Sequence, residues 1–199
     1  MKLILPSLLF TTQVLTLWPI PRSLHTGSSF LKLDPSFDIR INRAPYDLRA
    51  AITRTKAHLE NDKLERLVVG RGAVDRNDLS NAPSLLTLEL SLTAESSSIM
   101  EEATKPIGSR IEGYSLSIPS TGGTSRITAN STLGLFRGLT TFEQLFYFDG
   151  ECTIYTYQAP IDISDTPAYV SDIYISLKSI NPNFKQPYRG FMLDTSRNL

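Results

Sequence analysis

Cysteine is almost missing from this 199-residue chain, where Cys152 stands alone. One thiol closes no internal disulfide and builds no thiolate metal site. Histidine is nearly as scarce. His25 and His58 lie far apart with no ligand spacing between them, so neither a metal nor a cofactor is expected. Net charge is missing too, because 20 basic residues balance 20 acidic ones. No excess of charge points to a nucleic-acid partner or an anionic membrane. No apolar run is long enough to cross a bilayer, so no membrane partner is expected either. Internal repeats and low-complexity tracts are also lacking. What is there is ordinary: 41% hydrophobic and 20% charged residues suit one globular domain, or one domain with a fragment beside it.

The chain opens on Met1-Lys2 and the apolar run Leu3 to Phe10. A positive charge before a short apolar run predicts a signal peptide over residues 1–16, and with it a secreted or extracellular, vacuolar or lysosomal product. No A-x-A triplet marks a cleavage site. A buried N-terminal strand is the competing expectation for the same run.

From residue 17 the pattern is that of an α+β domain. Pro19 and Pro21 exclude a helix start, and the alternation in 30–33 and 37–41 predicts two short strands. A helix is expected from Pro45 to about Lys63, with Asp47 as N-cap and Leu48, Ala51, Ile52, Thr55 and Leu59 facing a sheet. Leu64 to Val69 reads as a strand stopped by Gly70-Arg71-Gly72, which lacks the spacing and the lysine of a phosphate loop. Leu86, Leu88, Leu90 and Leu92 alternate with polar residues, as do Tyr114, Leu116 and Ile118. Thr121-Gly122-Gly123-Thr124 then predicts a tight turn, with 126–129 as the return strand. A second helix begins near Asn130-Ser131. Its apolar stripe is Leu135, Phe136, Leu139, Phe142, Leu145 and Phe146. Gly134 and Gly138 fall on one face of it and predict close approach to a strand. Residues 153–157 form the last predicted strand. The sum is a mostly antiparallel sheet with two helices packed on one face.

Smaller signals need weighing. Asn130-Ser131-Thr132 is the one N-glycosylation sequon, but helix capping by Asn130 or Ser131 competes for the same residues, and a glycan would crowd the helix start. Glu101-Glu102 reads as a solvated face rather than a catalytic carboxylate pair. The aromatics at 146–148, 155 and 157 suit core packing better than a sugar platform.

Three segments carry a resemblance. Leu17-Trp18-Pro19-Ile20-Pro21-Arg22 is similar to the "WPxP" opening of eukaryotic β-N-acetylhexosaminidases of glycoside hydrolase family 20, the fungal type included. Residues 134–145 (GLFRGLTTFEQL) resemble that family's "GxxRGLxTFxQL" helix, and 187–197 (PYRGFMLDTSR) its "RGLLLDTSR" segment. The strand at 112–118 (EGYSLSI) falls where the family has a similar one. The resemblance implies a non-catalytic α/β domain over 17–165 and, at 187–199, the first strand of an incomplete (β/α)8 barrel. It makes Arg189 a ligand for hydroxyls of the terminal sugar, a role that suits a planar guanidinium at the end of a barrel strand.

The family cleaves terminal non-reducing N-acetylhexosamines from β-N-acetylhexosaminides by substrate-assisted retention, with an adjacent Asp-Glu pair. No Asp-Glu dipeptide occurs in these 199 residues. No catalytic residue is therefore assigned, and the chain is expected to be inactive by itself. The N-acetylhexosaminide would be a partner only in the intact enzyme, and the missing barrel would be an intramolecular partner. A short binding or pro-peptide-like module that associates with a full-length hexosaminidase is the alternative. Residues 166–186 depart from the family text as a linker or insert. Deleting 170–186 restores that text, and a valine codon opens with GT while a glutamine codon can close with AG. A translated intron is the expectation there, against a genuine inserted loop carrying turn residues; a transcript retaining the segment would refute the intron.

Overall fold

The computed structural model describes residues 17–42, 44–67 and 70–166. The expectations for 1–16, for 167–186 and for the barrel strand with Arg189 lie outside the described residues.

Among the described residues six strands form one sheet: β1 (Ser23–Arg40), β2 (Ser84–Leu92), β3 (Tyr114–Ile118), β4 (Gly123–Ala129), β5 (Tyr147–Phe148) and β6 (Ile154–Asp165). Their order is β1-β2-β4-β3-β6-β5, and β1 also pairs with β6. The sheet is mostly antiparallel, with two parallel pairings that make it mixed. β1–β2 and β2–β4 run parallel, while the pairings β1–β6, β3–β4, β3–β6 and β5–β6 are antiparallel. Parallel neighbours need a crossover connection, and α1 (Tyr46–Asn61) and α2 (Arg71–Leu79) supply it between β1 and β2. The two short strands expected at 30–33 and 37–41 are parts of the single long β1. The break between them survives as a register shift between Leu33 and Asp38, beside Pro35.

α1 buries Leu48, Ala51, Ile52, Thr55 and Leu59, the expected stripe. Its cap is Pro45 and no side chain closes it. Asp47 lies instead in the first turn, where its Oδ2 accepts from the Met100 N–H at 3.0 Å. That N–H opens α3 (Ile99–Thr104), so the carboxylate ties two helix starts together. The strand expected at 64–69 does not form over its described part. The Leu64 carbonyl accepts a bond from the Phe148 N–H at 2.7 Å, and α2 follows from Gly70, whose φ of 72° suits glycine. In β2 a register shift between Leu85 and Thr87 turns Leu86 outward and Leu85 inward, against the simple alternation. At the β3–β4 turn Gly122 and Gly123 both have positive φ, as the sequence predicted.

α4 (Thr132–Glu143) packs on β3 and β4. A Cβ at Gly138 would come within 2.6 Å of Ile127, and one at Gly134 within 2.4 Å of the Gly113 carbonyl oxygen. This is the close approach that two helical glycines predict. α1 lies against α4, where the Thr55 hydroxyl donates to Glu143 and the Arg54 guanidinium stands over the Phe136 ring. Between helices and sheet, Leu116, Ile127, Leu139, Phe142 and Ile161 form part of a fully buried core.

Candidate functional site

The residues that carry the family resemblance come together around α4. Arg137 reaches across to Glu112, with its Nη2 at 3.2 Å from the buried carboxylate. Thr141 meets the Tyr114 hydroxyl at 2.5 Å. Burial raises the Tyr114 hydroxyl's pKa. Gln144, near the helix end, clamps the opening segment by two reciprocal bonds. The Trp18 N–H donates to its Oε1 at 2.8 Å, and its Nε2 donates to the Trp18 carbonyl at 3.0 Å. Thus "WPIP", "EGYSL" and "GLFRGLTTFEQL" are one interlocked unit. Each polar group named here is bonded within the domain. Their chemistry is that of packing: they fix how the opening segment, β3 and α4 sit together.

Two further clusters join α2, β5 and β6. Asp75 of α2 is buried and accepts from Arg66 at 2.7 Å and from the Tyr155 hydroxyl at 2.8 Å, with Arg71 at 3.0 Å. Burial, then the Asp75 carboxylate, drives the Tyr155 hydroxyl's pKa upward. Arg66 lies over the Tyr157 ring at 3.7 Å, so Tyr155 and Tyr157 belong to the interior, as the packing expectation held. Between β5 and β6, one oxygen of Asp149 accepts the N–H groups of Glu151, Cys152 and Thr153 at 2.9–3.0 Å. Burial pushes this carboxyl up, but the three backbone donors outweigh it and hold it below its usual range.

The outer face of the sheet is polar and shallowly concave, with a trough of about 360 Å³. Its register is orderly. Ser23, Ser164, Ser115, Thr128 and Ser91 pair in turn across five strands as one row of hydroxyls. Two residues along, His25, Asp162, Ser117, Arg126 and Glu89 form a second row, closed by an Arg126–Glu89 ion pair at 2.7 Å. The row between them is apolar and faces the helices: Leu24, Ile163, Leu116, Ile127 and Leu90.

The remaining sequence candidates can be placed. Of Glu101-Glu102, read as a solvated face, only Glu101 is exposed. Glu101 is the reciprocal partner of Ser98 in a capping box, and Glu102 is buried, held at 2.6 Å by Lys105. That ion pair lowers the Glu102 carboxyl. His25 lies on the sheet, while His58 on α1 pairs with Asp62 at 2.5 Å. No group of three or more His, Cys, Asp or Glu side chains among the described residues could hold a metal ion. Cys152 is exposed. Ser131, not Asn130, caps α4, its hydroxyl accepting from the Gly134 N–H at 2.9 Å. The Trp18–Gln144 clamp was invisible in sequence because its partners are 126 residues apart; only the resemblance of both segments to one family hinted at it.

The described residues define an α+β domain in which helices pack with a six-stranded mixed sheet and whose signature residues hold one another. Residues 17–145 match the family described as "beta-acetyl hexosaminidase like". The chain belongs to this hexosaminidase-like family of glycoside hydrolase family 20, as the resemblance implied. It is 39% identical over 90 residues to the chitooligosaccharidolytic beta-N-acetylglucosaminidase of Ostrinia furnacalis, covering 44% of this chain and 12% of that protein. Beta-hexosaminidase subunit B2 of Dictyostelium discoideum is 26% identical over 94% of this chain and 27% of its own length. The solved Flavobacterium johnsoniae chitobiase aligns with a TM-score of 0.47 at 20% identity, over 74% of this chain and 20% of that one. The chain thus spans less than a third of the length of the curated relatives it matches.

Proposed function

We propose that these residues serve as the non-catalytic N-terminal domain region of a secreted or lysosomal β-N-acetylhexosaminidase. The intact enzyme would remove terminal non-reducing N-acetylhexosamines by substrate-assisted retention, and chitin fragments are one substrate class suggested by the Ostrinia relative's name. The observation that carries the reading is the family match over 17–145. The domain's contribution is mechanical: it braces a barrel that follows it. Arg189, within the segment 187–199 that resembles the first barrel strand, would hold sugar hydroxyls through its guanidinium fork.

The mechanism needs a general acid placed against the glycosidic oxygen and a carboxylate that orients the acetamido group. The buried or part-buried carboxylates of the described core are engaged. Glu112 and Asp75 face arginines, Asp149 is taken by backbone donors, and Glu143 meets Thr55. Purified residues 1–199 should therefore release no chromophore from a chromogenic N-acetylglucosaminide. Turnover above a buffer control would overturn that part of the proposal. If instead the 199 residues retain a full-length hexosaminidase in a pull-down, the associating module replaces the bracing domain as the better reading.

A further inference from the structure

The sequon and the helix cap at 130–132 compete in the sequence but separate in the fold. Ser131 takes the cap and is buried. Asn130 is exposed on the bend between β4 and α4, with its Oδ1 accepting from the Thr93 hydroxyl. Its Nδ2, the atom a glycan would occupy, donates to no group among the described residues. A sugar there would leave the Ser131–Gly134 cap untouched, so the expected crowding of the helix start does not arise. Thr132 has the opposite character. It is fully buried, its N–H is bound to Ser96 Oγ at 3.0 Å and its hydroxyl to the Ser97 carbonyl at 2.7 Å. Yet the sequon is recognised through this third residue.

From these two facts we infer that Asn130 carries an N-linked glycan and that it must be attached before the domain folds. In the unfolded chain Thr132 is free to be recognised. Once β4, α4 and the 96–98 segment assemble, the acceptor nitrogen stays in solvent but the recognition hydroxyl is enclosed. The co-reactant is a lipid-linked oligosaccharide pyrophosphate. The Asn130 amide nitrogen loses a proton and forms the bond to the anomeric carbon, while the bond from that carbon to the pyrophosphate oxygen breaks and the lipid pyrophosphate leaves. The order of events is set by the fold: sugar first, packing second. The finished glycan would stand over the loop end where Thr93, Ser96 and Ser97 meet α4. The inference rests on the secretory part of the proposed function, and its test separates the two.

The chain is translated behind a foreign, cleavable secretion leader in the presence of microsomes, and modification is read as a gel shift reversed by peptide N-glycosidase. The foreign leader makes the result independent of residues 1–16, and a gel shift is independent of hydrolase activity. One glycan-sized shift is expected for the nascent wild-type chain and none for Asn130→Gln. Folded, purified chain offered to the same opened microsomes with donor should show no shift. An unshifted nascent chain, or a shift that persists in Asn130→Gln, would overturn the glycan. Equal modification of folded and nascent chain would overturn the order of events.

Discussion

The two long helices follow the same amphipathic rule to different degrees. α1 buries 5 of its 16 residues, a single stripe, and presents Arg49, Thr53 and Ala57 to solvent. α4 buries 8 of its 12, including both glycines, and only Arg137 is exposed. A helix that needs one stripe is satisfied by many sequences. A helix enclosed by β3, β4, α1 and α3 has a size limit at nearly every position, so few sequences fit it. This is why α4 carries a recognisable family text while α1 carries only a periodicity.

The contrast is broken most forcefully at Gly138. A valine there must displace Ile127 and the Tyr114 ring, and overpacking of a filled core costs up to about 3 kcal/mol. The same change at exposed Ala50 of α1 should stay within about 0.5 kcal/mol. Urea midpoints of the two variants measure the difference. Equal midpoints would mean that α4 is not confined as the distances indicate.

The same reasoning says what could be read without a structure. The α1 stripe was legible residue for residue, because a one-sided helix writes its burial into its spacing. The glycine contacts of α4 were legible for a different reason: glycine in a helix is costly and needs a compensating contact. α2 was missed because it is polar, with only Asp75 and Leu79 buried, so it leaves almost no period to detect. The parallel partners of β2 were missed because pairing across a crossover leaves no local mark. Asp47 looked like a cap by residue type, and only the position of Met100 shows that it serves the neighbouring helix. Of the candidate site, Asn130 could be found from the chain, but its separation from the cap could not. That depends on which of two adjacent polar side chains turns inward.

A second, smaller effect tests the connection between β5 and β6. Asp149 is held ionised by backbone N–H groups, so its folded pKa lies below its unfolded value of about 4. A depressed carboxyl stabilises the fold above the unfolded value, and the contribution fades as pH falls through the folded one. Asp149→Asn should cost about 2 kcal/mol near neutral pH, the scale of hydrogen bonds to a charged group. Below roughly pH 4 the gap from wild type should narrow, because Asn does not titrate. Denaturation curves across that range would decide it. A constant gap would show that geometry, not charge, is what Asp149 supplies. Glu102 and Asp38, whose carboxyls are also lowered by lysine partners, contribute to the wild-type slope in the same direction and are unchanged in the variant.

The smallest effect separates cap from sequon, and it sharpens the helix comparison because α1 has no side-chain cap to lose. Ser131→Ala removes the acceptor for the Gly134 N–H and the donor to the Ile111 carbonyl. The loss should be about 1 kcal/mol, the ordinary value of an N-cap serine. The variant still reads Asn-Ala-Thr, so its glycan shift should be retained. Asn130→Gln is its mirror image: it keeps the cap and loses the sugar, and its stability without glycan should match that of unglycosylated wild type within about 0.5 kcal/mol. Melting curves and gel shifts on both variants therefore form a two-by-two test. If Asn130→Gln lowered stability as much as Ser131→Ala did, Asn130 would be part of the cap, and the division of labour between the two neighbours would fail. If only Ser131→Ala lowered it, residue 131 would belong to the helix and residue 130 to the solvent, the condition a glycan at that position requires.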